Sequence, residues 1–215
     1  VLGNAGGTVG NLFAAAWPDT AIDGVEIDPL VSDVGRRFLG MHNPRLTVHT
    51  ADARSWLRAS SGGYDAIIVD AYRQPYIPFH LVSREFFSIV RDRLTAGGVV
   101  AINVGTPPGQ LEAVDQIAST KRAAFPAVQQ VRIDEFNSIV FGFRDPATAA
   151  AARSMLRGAT GLSRGPAQTV AAGLADVPAG GTVLTDDHSP IEWVTDRALL
   201  TYLQEGAPGA SRSGS

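Results

Sequence analysis

Apolar residues over the first 145 positions fall into short blocks of two kinds. Ala66–Val69 and Val99–Val104 are nearly continuous runs rich in branched apolar side chains, the pattern of strands buried on both faces. Ala21–Glu26 and Leu46–Thr50 also read as strands. Between these blocks, residues 29–38, 53–60 and 83–94 have helical spacing. Asp28 before Pro29 and Asp52 before Ala53 are natural N-caps, and Ala96-Gly97-Gly98 reads as a glycine stop for the third helix. Residues 110–125 predict another helix. Val128–Ile133 and Ser138–Phe143 flank the turn-like Asp134-Glu135-Phe136-Asn137 and predict two antiparallel strands at a sheet edge. Strands and helices alternating in this order predict an α/β fold around a mainly parallel sheet.

After Asp145-Pro146 the chain becomes alanine-rich and helical over residues 147–156, and a stretch punctuated by glycine and proline follows. Thr185-Asp186-Asp187-His188-Ser189-Pro190 then leads into a final helix at about residues 191–204. We expect residues 1–145 to form one α/β domain, residues 146–205 a helical extension packed on it, and residues 206–215, rich in small residues, a disordered tail. The opening Val1-Leu2-Gly3-Asn4-Ala5-Gly6-Gly7 places a glycine turn where a strand should lead into a helix. Only Val1 and Leu2 precede that turn, against about five residues in an ordinary strand. The chain is therefore expected to start part-way into its first strand.

Composition narrows the function classes. With 45% apolar and 18% charged residues, 215 residues suffice for a substantial core. A net charge of −3 without any block of lysine or arginine argues against binding a phosphate backbone, so nucleic acid is not an expected partner. The absence of cysteine removes disulfides, thiolate metal sites and a cysteine nucleophile together. The apolar runs are far too short to span a bilayer and no signal peptide is visible, so a cytoplasmic chain without membrane insertion is expected.

The candidate chemistry gathers at successive strand ends. Gly3 and Gly6 allow a tight turn and close approach of a ligand to the backbone. Glu26 ends the second strand about twenty residues later, where α/β nucleotide folds place a carboxylate for the ribose hydroxyls. Asp52 follows the next strand and can accept from an adenine amine while apolar neighbours cover the ring. The glycine pattern is Gly-x-x-Gly-Gly, which lacks the spacing of a dinucleotide site and suits an adenosyl group without pyrophosphate, hence S-adenosylmethionine or its decarboxylated form. Asp70 ends the fourth strand, at the position facing a sulfonium, and can act as base on an attacking amine. Tyr72 and Tyr76 flank it.

These stretches resemble the spermidine synthase family of polyamine aminopropyltransferases, in its bacterial spermidine synthase-like branch. The resemblance rests on Gly3–Gly7, Val25-Glu26-Ile27-Asp28-Pro29, Ala51-Asp52-Ala53, Tyr64–Asp70, Arg84-Glu85-Phe86-Phe87, Leu94–Val99 and the late Leu184–Trp193. It implies the Rossmann-like fold of class I S-adenosylmethionine-dependent methyltransferases, with a seven-stranded mainly parallel sheet. It further implies transfer of an aminopropyl group from decarboxylated S-adenosylmethionine to a polyamine such as putrescine, without a metal, in a chain that can form homodimers. By position, Gly3, Gly6, Glu26, Ile27, Asp52 and Ala53 would hold the cofactor, Asp70 would be the general base, and Tyr72, Arg73 and Tyr76 would face the acceptor.

Four departures from the family pattern keep other readings open, among them Phe136-Asn137 where the family's tyrosine-bearing segment is expected and the lack of the substrate-gripping residues expected upstream of the glycine turn. Where the family carries an aspartate for the cofactor's amine, this chain has Ala5, and where a second aspartate follows the catalytic one, it has Arg73. A cation in place of an anion beside a diamine reverses an interaction on the order of several kcal/mol in a partly buried site. The alternatives are a methyltransferase using S-adenosylmethionine, with Arg73 on its carboxylate, and a catalytically inactive nucleoside-binding or interaction domain. Elsewhere, Asp186, Asp187 and His188 read as turn and capping residues, because adjacent side chains rarely converge on one metal ion. His80 reads as a loop histidine near the site, and Trp56 and Trp193 as core residues.

Overall fold

The computed structural model describes residues 1–177 and 180–205; the tail expected at 206–215 lies outside them. Strands β1 (Ile22–Glu26), β2 (Leu46–Thr50), β3 (Tyr64–Val69) and β4 (Leu94–Gly105) alternate with helices α1 (Thr8–Ala16), α2 (Pro29–Phe38), α3 (Ala53–Ala59) and α4 (Arg84–Arg93). Helix α5 (Glu112–Ala124) leads to the hairpin of β5 (Ala127–Arg132) and β6 (Asn137–Phe143). Beyond it come α6 (Pro146–Arg157), α7 (Arg164–Gly173), β7 (Ala175–Asp176) and α8 (Ile191–Glu205). The caps follow the sequence reading: the side chains of Asp28, Asp52 and Asp145 accept from the backbone amides of Leu30, Ser55 and Ala147.

The sheet differs from the expected seven-stranded, mainly parallel one. The strands form a two-stranded parallel pair, β1-β2, and a five-stranded mixed sheet ordered β3-β4-β6-β5-β7. Only Val1 and Leu2 lie between β1 and β3, and Leu2 makes single parallel bridges to Val25 and to Val69 instead of a continuous ladder. The tight turn between β5 and β6 forces antiparallel pairing with each other, β6 runs antiparallel to β4, and β7 runs antiparallel to β5. Among the described residues parallel pairing is thus confined to β1-β2, β3-β4 and the Leu2 bridges.

Two further readings are corrected. Helix α4 ends at Arg93, and Leu94 leaves in an extended conformation directly into β4, so Ala96-Gly97-Gly98 is strand and not a glycine stop. The stretch after α6, read as helical extension, also contributes β7 to the sheet edge.

The core sits between β3, β4 and β6 and the helices α4 and α5, around Phe86, Phe87, Val100, Ile102 and Ile117, all at most 1% exposed. Burying side chains of this size contributes about 1.5–3 kcal/mol each before conformational entropy is charged against it. On α5 the buried stripe Val114, Ile117, Ala118, Lys121 and Ala124 keeps helical spacing, with a lysine at a core position. Trp56 is half-buried against His49 and Tyr64, with ring centroids 4.7 and 6.3 Å away. Trp193 is not core; it is 60% exposed, with the Arg197 guanidinium 4.4 Å above its ring. Among the described residues no helix is long and apolar enough to cross a membrane.

Candidate active site

The carboxyl ends of β1, β2, β3 and β4 lie side by side through the Leu2 bridges, which brings Glu26, Asp52, Asp70 and Asn103 to one edge. That is where open α/β sheets bind ligands. The glycine turn is locked onto this edge. The amides of Gly3 and Asn4 both donate to the Val25 carbonyl, at 2.9 and 3.0 Å, and the Asp70 amide donates to the Leu2 carbonyl at 2.8 Å. Gly3 has φ +86°, and a Cβ there would lie 2.6 Å from the Ala71 Cα. Glycine at position 3 therefore lets the turn touch the end of β3, next to Asp70.

Glu26 is half-buried and both its oxygens work on the backbone. Oε2 accepts from the Ala5 amide at 2.9 Å and Oε1 from the Asp28 amide at 3.1 Å. Ala5 is the described non-glycine residue with positive φ, +43°, a conformation that costs on the order of 1 kcal/mol and is held here by its bond to Glu26. A carboxylate has about four acceptor positions, so Glu26 keeps two for a pair of vicinal hydroxyls. Ile27 is 69% exposed beside it, free to lie against a planar ring.

Asp52 caps α3, and its Oδ2 lies 3.5 Å from His80 Nε2. Partial burial works to raise its pKa, but the Ser55 amide and hydroxyl together with His80 outweigh that and hold it below the usual carboxylate value. Ala53, buried, follows at the helix start.

Asp70 opens into a cavity of about 410 Å³ bounded by the ends of β3 and β4, the β5–β6 turn and α8. Asn103 Nδ2 donates to Asp70 Oδ1 at 3.3 Å. Tyr72, also in the wall, donates to the Asn103 carbonyl at 2.9 Å and accepts from the Gly105 amide at 2.7 Å. Burial pushes the Tyr72 hydroxyl up to about 12, helped by the charge of Asp70 and opposed by the Gly105 amide, so it remains a protonated donor through the physiological range. Phe136, Leu199 and Tyr202 complete the far side, the Phe136 and Tyr202 rings meeting edge to face at 6.3 Å.

Two expected acceptor contacts lie outside this wall. The backbones of Arg73 and Tyr76 pair with each other, Arg73 is exposed, and the Tyr76 hydroxyl donates to Asp196 Oδ1 at 2.6 Å, tying the loop to α8. That hydrogen bond is the main reason the Tyr76 hydroxyl is shifted up. Asn103 and the α8 residues are the contributors that sequence reasoning did not assign. Asn103 had a detectable signal, a lone amide in an apolar strand; nothing in the spacing of α8 announced its role.

A larger cavity, about 860 Å³, lies at the opposite ends of the strands among Trp17, Ile22, Trp56, Tyr64 and Ile67. It is where Val1 and Leu2 alone separate β1 from β3, away from the edge that carries the carboxylates, and we do not read it as the site.

The late Asp186 is structural. Arg54 grips both its oxygens at 2.7 and 2.6 Å, the Ser83 hydroxyl donates to it at 2.6 Å, and its own amide donates to Glu85 at 3.0 Å. Arg54 also donates to the His80 carbonyl at 3.0 Å, so this cluster fixes the loop that follows Asp70. The Arg54 hydrogen bonds hold the Asp186 carboxyl down at about 2. A carboxylate with a depressed folded pKa adds stability above its unfolded value near 4 and loses it as pH falls through the folded one. Asp186→Asn is thus expected to cost about 1 kcal/mol at pH 7, a modest figure because the carboxylate is 38% exposed, and the gap should close near pH 2. Thermal denaturation of both proteins between pH 2 and 7 checks this; a gap that persists unchanged at pH 2 would refute it.

The spermine/spermidine synthase domain model matches residues 3–144. The chain belongs to that family. It is 29% identical, over 96% of its length, to a probable polyamine aminopropyl transferase of Bifidobacterium longum, covering 51% of that protein. It is 36% identical over 63% of its length to the polyamine aminopropyltransferase of Vibrio vulnificus, covering 46% of it. The chain therefore spans about half the length of these curated relatives. Among solved structures, human methyltransferase-like protein 13 in complex with SAH superposes with a TM-score of 0.60 at 28% identity, over 74% of this chain and 81% of that one. The α/β architecture is the Rossmann-like one shared by both groups, built here around a five-stranded mixed sheet.

Proposed function

We propose that this spermine/spermidine synthase domain transfers an aminopropyl group from decarboxylated S-adenosylmethionine to an amine. In the proposed reaction the amine nitrogen attacks the propyl carbon bonded to sulfur. The C–N bond forms as the C–S bond breaks, sulfur keeps the electron pair as methylthioadenosine leaves, and the nitrogen's proton passes to the Asp70 carboxylate. The observation that carries this reading is the placement of Asp70: on the strand end touching the glycine turn, steadied by Asn103, and opening into a cavity. In this reading Gly3 and Gly6 let the nucleoside approach, and Glu26 takes the ribose hydroxyls with its two remaining acceptor positions. Asp52 takes the adenine amine, with Ile27 and Ala53 against the ring. Tyr72 lines the acceptor path, while Tyr76 and Arg73 shape the loop from outside. Putrescine, the polyamine implied by the resemblance, is the reference acceptor, and the relatives' names support the same chemistry. We place the reaction in the cytoplasm.

The test is formation of methylthioadenosine from the decarboxylated cofactor and an amine; no methylthioadenosine with any amine would reject the reading. Glu26→Gln should weaken methylthioadenosine binding about ten- to a hundredfold, because the neutral amide loses charge-assisted bonds to the turn and to the ribose. Calorimetric titration reads this directly, and unchanged affinity would remove Glu26 from the site.

Methyl transfer from S-adenosylmethionine is the second reading. Ala5 favours it, since an exposed methyl in the turn offers no anion to the amine of the decarboxylated cofactor. The likeness to a methyltransferase solved with SAH points the same way. Release of S-adenosylhomocysteine, indifferent to added diamine, would establish it.

A further inference from the structure

We propose that His80 is a positioning residue of the nucleobase subsite: it holds the Asp52 carboxylate in the orientation that takes a 6-amino purine and turns away a 6-oxo purine. The proposal rests on the adenosyl-site reading, which aminopropyl and methyl transfer share.

His80 sits in a short 3-10 turn, Phe79–Leu81, in the loop that follows Asp70. Helix α3 clasps this turn at two points. Its N-cap, Asp52, places Oδ2 3.5 Å from His80 Nε2, and Arg54, two residues on, donates to the His80 carbonyl at 3.0 Å. Arg54 is itself held by both oxygens of Asp186, and Leu81, 3% exposed, seats the turn in the core. The His80 backbone is thus fixed from the helix that carries the partner of its side chain. Among the described residues, the ion-pair contact of the imidazole is with Asp52 alone.

Asp52 Oδ1 accepts from the Ser55 amide at 2.8 Å. One anchored oxygen leaves the carboxylate free to turn about it; a second group at Oδ2 closes that freedom. At 3.5 Å the contact is long for a hydrogen bond but within ion-pair range, and either an Nε2–H dipole or an imidazolium charge favours Oδ2 facing it. With its plane set, Asp52 offers lone pairs to the amine of adenine. The oxygen at the same position of hypoxanthine meets a fixed anion, two acceptors with no proton between them. A carboxylate free to turn could avoid that oxygen or accept from the ring N–H beside it, so discrimination depends on orientation as well as charge.

The test titrates the full-length protein calorimetrically with methylthioadenosine and methylthioinosine, which needs no turnover. The wild-type protein should prefer methylthioadenosine by about a hundredfold or more. His80→Ala should weaken methylthioadenosine binding about three- to tenfold and cut the preference by about tenfold. His80→Gln, whose amide nitrogen reaches toward Oδ2, should recover most of the preference, a rescue that a merely structural role does not predict. An unchanged preference in His80→Ala overturns the proposal, as does a His80→Gln variant no more selective than His80→Ala. Asp52→Asn separates it from the reading beneath it and should lose the preference. If Asp52→Asn keeps the wild-type preference, Asp52 leaves the subsite and the proposal falls with it. If Asp52→Asn loses it while His80→Ala does not, the subsite stands and only the role of His80 fails. Binding of neither nucleoside by the wild-type protein refutes both.

Discussion

Asp70→Asn is expected to lower kcat for methylthioadenosine formation by about two to four orders of magnitude, the usual contribution of a positioned general base. The substitution keeps the shape of the side chain and leaves an oxygen for the Asn103 amide, now 3.3 Å from Oδ1, so the strand end and the cavity wall should hold. What it removes is an acceptor for the proton released as the new C–N bond forms, and the anion that stabilises the growing positive charge on nitrogen. Affinity for methylthioadenosine should change little, because the proposed reaction puts Asp70 on the acceptor side of the cofactor. The informative comparison is therefore kcat against cofactor affinity in the same variant. A fall of less than about tenfold in kcat, or an equal loss in both, would take the base role from Asp70. Asn103→Ala offers a graded check, since Asn103 only positions the carboxylate and its loss should cost less than the loss of the carboxylate itself.

Lys121→Met should change how stability depends on pH. Lys121 is fully buried on the core stripe of α5, its Nζ donating to the Val140 carbonyl at 2.6 Å and to the Val100 carbonyl at 3.4 Å, above the Phe87 ring at 5.3 Å. Burial alone drives its pKa well below 10.5, and no carboxylate among the described residues forms an ion pair with it. The sign follows from proton counting: between the depressed folded pKa and the ordinary unfolded one, the unfolded chain holds one proton more than the folded chain. Folding then releases a proton, and stability rises with pH by about 1.4 kcal/mol per unit across that window. Methionine fills a similar volume without a charge to desolvate. We expect Lys121→Met to be the more stable protein at pH 7 and the gap to shrink steadily as pH rises toward 10. Denaturant unfolding at pH 7, 8, 9 and 10 measures it, and parallel pH profiles for the two proteins would show that the ammonium is not desolvated in the folded state.

Both predictions concern residues that the sequence treats unevenly. Asp70 stands at the end of an apolar run and before a loop, so its place at a strand end is legible from the chain alone. Lys121 also falls on a readable helical stripe, but a lysine near a helix end ordinarily serves the last carbonyls, and only packing shows that its amine points into the core. Asp52 and Asp28 were legible as caps because capping is local, decided within three residues. Asp186 was read as part of a turn; its partner Arg54 lies 132 positions away, a separation no local rule reaches.

The sequence by itself determined the alternation of strands and helices, most element boundaries within a residue or two, and the march of Glu26, Asp52 and Asp70 along successive strand ends. These follow from periodicity and from the short range of turn and cap chemistry. Tertiary structure alone decided the sheet's division into two and five strands, because pairing depends on what lies between β1 and β3 and on the tight β5–β6 turn. It alone placed Phe136, Leu199 and Tyr202 around Asp70 and left Arg73 and Tyr76 outside, since a cavity is made by elements that meet only after the chain has folded back on itself.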